Sequence, residues 1–549
     1  MRLNDEGKGQ IDGSKLVLDG GRGGGAGKTA QAAHGFPGTR KIASFRPILG
    51  VHLENVGPYE SQLRIPPGLS HACAAAGFAL AVGLGAPPEA RSQSLIEALS
   101  TTYNSNPDLL ASRALLRQTD ETLAQAVANW RPRVTLSLNY NKNIDANYPM
   151  TTPNIAQTPT FWTLNGKSTV LQLTQPIFLG GQTVANTKQA QANIQAQRAV
   201  LADTEQTVLL AGVTSYADLV QNIAIADARR NNVNVLVQQL DATRERFRVG
   251  ELTITDVSQA EARLELAKAD LVQADTQVRI AEAAFQRTVG VKPAKLGEIP
   301  LVGGLPASEE EAVALAMDGG PRSVSAQYRI SAAAYGVNSA VGALLPVVNL
   351  VGTIQQQFDV QVPGDRYYNY ILGFQATIPI YQNGSEWSKI RAAKELVGQR
   401  RNELDSARRA VAENVIRAWR QLDSSRSRVT SFEAQVRANE VALNGVRQEA
   451  LVGSRTTLDV LNAEQELLNS QVNLIQARHD VQVSYYGVLS GIGRLTARTL
   501  SLPVEYYDEE RYYNDVGSRW IGWGNGDTAA PAASGNVSTG SPAAGGSSR

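Results

Sequence analysis

Hydroxyl and carboxylate groups gather twice in this 549-residue chain, each time just after a valine-glycine pair. Thr255 and Asp256 follow Val249-Gly250, and Thr457 and Asp459 follow Val452-Gly453. Each glycine suits a tight turn with positive φ, and a threonine or aspartate just beyond it can cap a helix or complement its dipole. The chemistry on offer is hydrogen bonding and charge. His34, His52, His71 and His479 are too scattered to share a metal ion, and His479 reads as a packing or lumen residue of a long helix. Neither a catalytic triad nor metal-ligand spacing occurs, so the expectation is a protein that is not an enzyme and carries no cofactor.

Two apparent motifs fall away on inspection. Residues 21–29, rich in glycine and ending Gly27-Lys28-Thr29, resemble a phosphate-cradling loop, but Arg22 stands where the loop needs its first glycine and no βαβ pattern follows. Cys73 is the only cysteine. It lies at the start of an apolar run, Ala72 to Ala86, that follows Arg64 and precedes Pro87-Pro88, the pattern of a secretory signal peptide. At about fifteen residues the run is short for a membrane span. Cleavage between Gly83 and Ala90 would remove the thiol, which excludes disulfides, and Cys73 lies at the wrong end of the run for acyl attachment. A formal net charge of +1 gives no basic surplus for nucleic acid.

The polar clusters belong to elements that occur twice. Pro176-Ile177-Phe178, Gly250, Asp256-Val257 and Gly290 reappear as Pro379-Ile380-Tyr381, Gly453, Asp459-Val460 and Gly493, always displaced by 203. Proline is absent from Ile177 to Lys292 and from Ile380 to Leu502, which predicts two uninterrupted helical hairpins with tips at Gly250 and Gly453. The helix from Gln182 to about Arg248 would span roughly 100 Å. Val257, Ala260, Leu264, Ala267, Leu271, Ala274, Val278, Ala281 and Phe285 form a heptad seam, repeated from Val460 to Val488. Leu266, Val272 and Ile280 lie off that seam and could serve a second neighbour, as in a curved wall of helices.

Upstream the offset becomes 214, since Pro107 matches Pro321 and Pro132 matches Pro346. The added residues fall between Pro132 and Pro176, with Asn141 to Thr160 expected as an exposed loop. Around it the pattern changes to two-residue alternation, as in Tyr368, Tyr370, Leu372, Phe374, Ala376, Ile378 and Ile380, or Val134, Leu136, Leu138 and Tyr140. Each copy therefore offers one β-hairpin. Phe161, Trp162, Tyr367, Tyr368 and Tyr370 near the strand ends suit a membrane interface. Four strands cannot close a barrel, and open edges in lipid would leave backbone groups unpaired, so closure requires other chains.

The expected organisation is an N-terminal extension over 1–63, a signal peptide over 64–90 and a first repeat over 94–290. An equatorial segment over 291–320, a second repeat over 321–493, a second equatorial segment over 494–523 and a disordered tail over 524–549 follow. The two equatorial segments are expected to pack together as a belt around the helices.

The tips Val249-Gly250-Glu251-Leu252-Thr253-Ile254-Thr255-Asp256-Val257 and Val452-Gly453-Ser454-Arg455-Thr456-Thr457-Leu458-Asp459-Val460-Leu461 resemble those of the TolC family of outer-membrane efflux and type I secretion channels. The junctions Pro176 to Gly181 and Pro379 to Gly384 are similar to the family's strand-to-helix turns, and the resemblance runs from about Ser94 to Arg498. It implies an α+β membrane protein: two tandem repeats, each a β-hairpin plus a long α-helical hairpin. Three chains would form a trimeric 12-stranded β-barrel continuous with a periplasmic α-helical barrel. The function implied is a passive export duct in the outer membrane, conducting drugs or secreted proteins. Its implied partners are a periplasmic adaptor (membrane fusion) protein, an inner-membrane RND or ABC transporter, and outer-membrane lipid.

The resemblance also implies site residues. Asp459 matches the first of two aspartates that form rings at the closed end of the tunnel, while Asn462 stands at the second. One acidic and one amide ring would bind cations more weakly than two acidic rings. Arg455 matches an arginine that latches onto positions occupied here by Thr255 and Asp256. Ala450 replaces a tyrosine of the same latch. Val249, Gly250, Leu252, Val452, Gly453 and Ser454 match the tips on which the adaptor docks. Trp130-Arg131-Pro132 leans toward protein secretion. The other reading of the chain is a helical coiled-coil scaffold in the periplasm or at the cell surface without channel activity.

Overall fold

Two helices, α1 (Leu95–Ser105) and α2 (Pro107–Ala128), lead into strands β1 (Arg133–Asn147) and β2 (Thr160–Leu179), followed by α3 (Gln182–Arg248) and α4 (Ile254–Val289). After α5 (Glu309–Gly319) the order returns as α6 (Pro321–Gly342), β3 (Val347–Phe358), β4 (Arg366–Thr377), α7 (Ser385–Leu451) and α8 (Thr457–Gly491), with α9 (Arg511–Ser518) last. This computed structural model describes residues 93–147, 160–361 and 364–524. The signal segment with Cys73, the glycine-rich residues 21–29, the extension, the loop 148–159, the tail from 525 onward and the side chains of Phe161 and Trp162 lie outside the described ones.

Helices α3 and α7 are each 67 residues long, and their partners α4 and α8 are 36 and 35. With no proline to remove an amide hydrogen, nothing interrupts either ladder. The hairpins turn at Gly250 (φ 84°) and Gly453 (φ 79°), left-handed conformations that a side chain would strain. The seam predicted on α4 is turned inward, with Val257, Ala260, Leu264, Ala267, Ala274, Ala281 and Phe285 buried, while Leu266, Val272 and Ile280 remain exposed.

The core lies where all the long helices meet, far from the tips. Leu95, Leu99, Leu109 and Leu116 of α1 and α2 pack with Leu209, Val213, Tyr216, Phe285, Val415, Tyr486 and Leu489. Three tyrosines strap the inter-repeat segment to this core. Tyr216 accepts from the Gly297 amide at 2.8 Å, Tyr486 donates to the Pro300 carbonyl at 2.6 Å and Tyr485 donates to that of Val302. A smaller cluster, Leu236, Leu240, Val257, Ala260, Leu264, Ala267 and Leu461, joins the two hairpins nearer the tips.

The sheet is a four-stranded antiparallel meander in the order β1-β2-β3-β4, so β1 and β4 keep free edges. A bulge falls between Pro176 and Phe178, where proline has no amide hydrogen to give the ladder. Gly180 and Gly342 touch at the foot of the sheet, and a Cβ on the first would collide with the carbonyl oxygen of the second.

Two expectations are corrected. Asn141 to Asn147 are not loop: they pair with Thr160 to Gly166, so much of the extra length of the first copy extends the strands. Ladder bonds join backbones and tolerate the polar side chains that suggested a loop. The two equatorial segments meet where Arg494 donates to the Gly304 carbonyl at 3.2 Å, and Ile299, Ala312 and Ala316 of the first share the central core with Leu495, Ala497, Leu500 and Leu502 of the second, while α5 also packs on α7 and α9 on α2. Ile378 and Ile380, read as strand, lie beyond β4.

Candidate functional site

Both tips are built by the same local device. Thr253 accepts from the Asp256 amide at 3.3 Å while the Asp256 carboxylate accepts from the Thr253 amide at 3.0 Å and its hydroxyl at 2.7 Å. Thr456 and Asp459 repeat this at 3.2, 3.0 and 2.8 Å. These are capping boxes, so the N-caps are Thr253 and Thr456 rather than Thr255 or Thr457. The threonine-x-x-aspartate spacing was the signal that would have found them. Hydrogen bonds from Thr253 hold the Asp256 carboxyl below the usual range, and bonds from the Thr456 amide and hydroxyl do the same for Asp459. Both carboxylates stay charged at neutral pH at the positive end of a helix dipole.

The turns themselves carry apolar and ionic groups. Val249 and Val452 are exposed at the apices, with Leu252 half-buried beside Glu251 and Ser454 donating to the Glu449 carbonyl at 3.0 Å. One ion pair spans each turn: Arg246 with Glu251 at 3.0 Å, and Arg455 with Glu449 at 2.8 Å. The second holds Arg455 within its own tip, its charge favoured first by the Glu449 hydrogen bond. Arg455 therefore does not meet Thr255 or Asp256 within a single chain, and Asp256 is engaged by Thr253. Thr255 is exposed on the first turn of α4.

Asn462 has a partner on the other hairpin: its Oδ1 accepts from Arg263 of α4 at 3.1 Å. Nearby, Glu464 is buried at 5 % exposure and pairs with Arg447 of α7 at 3.0 Å. Higher up, His479 bridges α8 to α3. Its Nε2 lies 2.7 Å from Asp218 and its Nδ1 3.2 Å from Asp480, which Arg428 of α7 also engages at 3.1 Å. Burial pushes the imidazole toward neutrality, but the bonds to Asp218 and Asp480 outweigh it, so the net shift is upward. No sequence signal announced the Arg263 or Asp218 contacts, because each joins residues on separate hairpins. Among the described residues no group of acidic, histidine or cysteine side chains could hold a metal ion.

The two hairpins are joined near their tips by the Arg263–Asn462 hydrogen bond, while the ion pairs of the turns each stay within their own tip. The family model for outer membrane efflux proteins matches residues 98–291 and 321–493. The outer membrane efflux protein BepC of Brucella suis is 37 % identical over 434 residues, covering 79 % of this chain and 92 % of that one. The outer membrane protein TolC of Escherichia coli K12 is 25 % identical over 432 residues, covering 75 % and 84 %. The solved structure of the Campylobacter jejuni CmeC outer membrane channel superposes with a TM-score of 0.64 at 16 % identity, covering 77 % of this chain and 89 % of that one.

Proposed function

Since the chain belongs to the outer membrane efflux protein family, the TolC-like channels of the outer membrane, we propose that three copies form one export duct. The observation that carries this is the open sheet. Its edge strands β1 and β4 are long and each exposes an apolar face, with Leu138 70 % and Phe374 76 % exposed, and each presents an unpaired row of backbone groups. Such edges in lipid need partners. Because the sheet has four antiparallel strands, β4 of one copy can pair antiparallel with β1 of the next. Three copies then close as a 12-stranded barrel, near the small end of barrels that enclose a lumen.

Below the barrel the helical hairpins form the tunnel wall, and their tips form its gate. Asp459 and Asn462 supply an acidic and an amide ring. Arg455 latches the gate by leaving Glu449 for Asp256 and Thr255 across the tips. Val249, Gly250, Leu252, Val452, Gly453 and Ser454 receive a periplasmic adaptor that joins the duct to an inner-membrane transporter of the RND or ABC type. The cargo is small toxic molecules or secreted polypeptide, moved passively through a duct that does no bond chemistry.

Heat-resistant trimers in the outer-membrane fraction, together with drug hypersensitivity or a depleted secretome on deletion of the gene, are expected. A soluble monomer whose deletion leaves both unchanged would reject the duct.

A further inference from the structure

The C-terminal segment climbs α2 toward the sheet. Tyr512 of α9 donates to Glu121 at 2.7 Å, Val516 is buried, and a Cβ on Gly517 would sit 4.0 Å from Leu123. Beyond α9 the Arg519 carbonyl accepts from Arg131 at 2.5 Å, and the Arg131 guanidinium lies 4.8 Å from the Trp520 ring centre. Arg131 stands between the end of α2 and the start of β1, so this segment ends at the foot of the sheet. There it exposes Trp520 at 68 %, Ile521 at 97 % and Trp523 at 101 %.

Three large apolar side chains left in water at one place call for an occupant. The surroundings indicate which. Trp130, Tyr381 and Trp387 are also exposed at the foot of the strands, at the level where tryptophan and tyrosine gather at membrane interfaces. Arg131, Arg133 and Arg519 add positive charge beside them. Of the acidic groups of the same segment, Asp508, Glu509 and Glu510 lie before α9, with Arg198 engaging Glu510 at 3.2 Å, and Asp515 lies within α9. Indoles flanked by arginines fit phospholipid headgroups.

We propose that Trp520, Ile521 and Trp523 are an interfacial anchor that enters the headgroup region of the periplasmic leaflet of the outer membrane and completes an aromatic girdle at the base of the sheet. The proposal rests on the reading that the sheet crosses that membrane. The anchor would tie α9, and through it α2, to a fixed depth.

The full-length chain is reconstituted into vesicles of phosphatidylethanolamine and phosphatidylglycerol, with or without acyl bromination close to the headgroup. Subtracting the emission of a Trp520→Phe, Trp523→Phe variant isolates these two indoles from the other four, Trp130, Trp162, Trp387 and Trp419. The difference spectrum is expected to be blue-shifted and to lose most of its intensity in brominated vesicles. Water-like emission quenched by acrylamide alone overturns the proposal, as does blue-shifted emission that neither quencher reaches, which would place the rings against protein. A fluorophore on Leu138→Cys in a Cys73→Ser background separates the two readings. Lipid quenching of that label beside unquenched indoles rejects the anchor alone, whereas a label left in water rejects the membrane-crossing sheet and the anchor with it.

Discussion

Arg263 on α4 donates to Asn462 on α8 at 3.1 Å, a bond between the two hairpins close above their tips. In an exposed setting such a bond contributes about 1 kcal/mol, roughly a fivefold bias between tips together and tips apart. Arg263→Ala is expected to raise single-channel conductance in planar bilayers. Asn462→Ala should do the same, and the double variant should add little to either. Additive effects would show that the two residues act separately.

Arg455 and Glu449 predict changes of opposite sign. If Arg455 closes the gate only after leaving Glu449, then Arg455→Ala raises conductance and antibiotic leakage, whereas Glu449→Ala frees the arginine and lowers both. Equal effects of the same sign would make the pair a simple staple of the turn, 2.8 Å across.

The caps give a local prediction. Thr456→Ala should cost about 1 kcal/mol and speed hydrogen exchange in the first turn of α8, leaving the core around Tyr216 and Tyr486 unchanged. Because hydrogen bonds lower the Asp459 carboxyl in the folded chain, its contribution is complete above the ordinary carboxylate range. It is lost as pH falls below about 4. The protection factor in that turn, with the pH dependence of intrinsic amide exchange divided out, should therefore fall on acidification in the wild type and be low and flat in Asp459→Asn.

His479 has the reverse dependence. Its folded value is raised, so the charged clamp to Asp218 is fully present below the unfolded value of about 6.5 and disappears as pH rises through the folded one. The melting-temperature difference between wild type and His479→Gln should be largest at mildly acidic pH and shrink at alkaline pH. A difference independent of pH would reduce the residue to neutral packing.

Adjacent positions on β1 test which face meets lipid. Leu138→Arg puts a charge on the apolar face, at a cost of about 2–4 kcal/mol near mid-membrane, and should abolish heat-resistant trimers. Ser137→Arg, on the opposite face, should leave them intact and alter conductance. Equal tolerance of both would contradict a membrane barrel.

The long hairpins, their seams and the glycine tips were legible because each is set by neighbours in sequence: a heptad repeat, missing prolines, a residue that accepts positive φ. The capping boxes are equally local: of the candidates Thr255 or Asp256 and Thr457 or Asp459, the two aspartates belong to them, with Thr253 and Thr456 as the caps. Strand alternation was legible too, but not how far β1 extends, since ladder pairing is indifferent to side-chain polarity. Arg263 with Asn462 and Asp218 with His479 stand 199 and 261 residues apart. Whether they meet depends on the rotation and register of one hairpin against the other, which the sequence of neither hairpin specifies. The periodicity of this chain determined its elements and where they turn. Only their packing decided which polar groups face each other across the hairpins, and that Trp520 and Trp523 lie at the foot of the sheet.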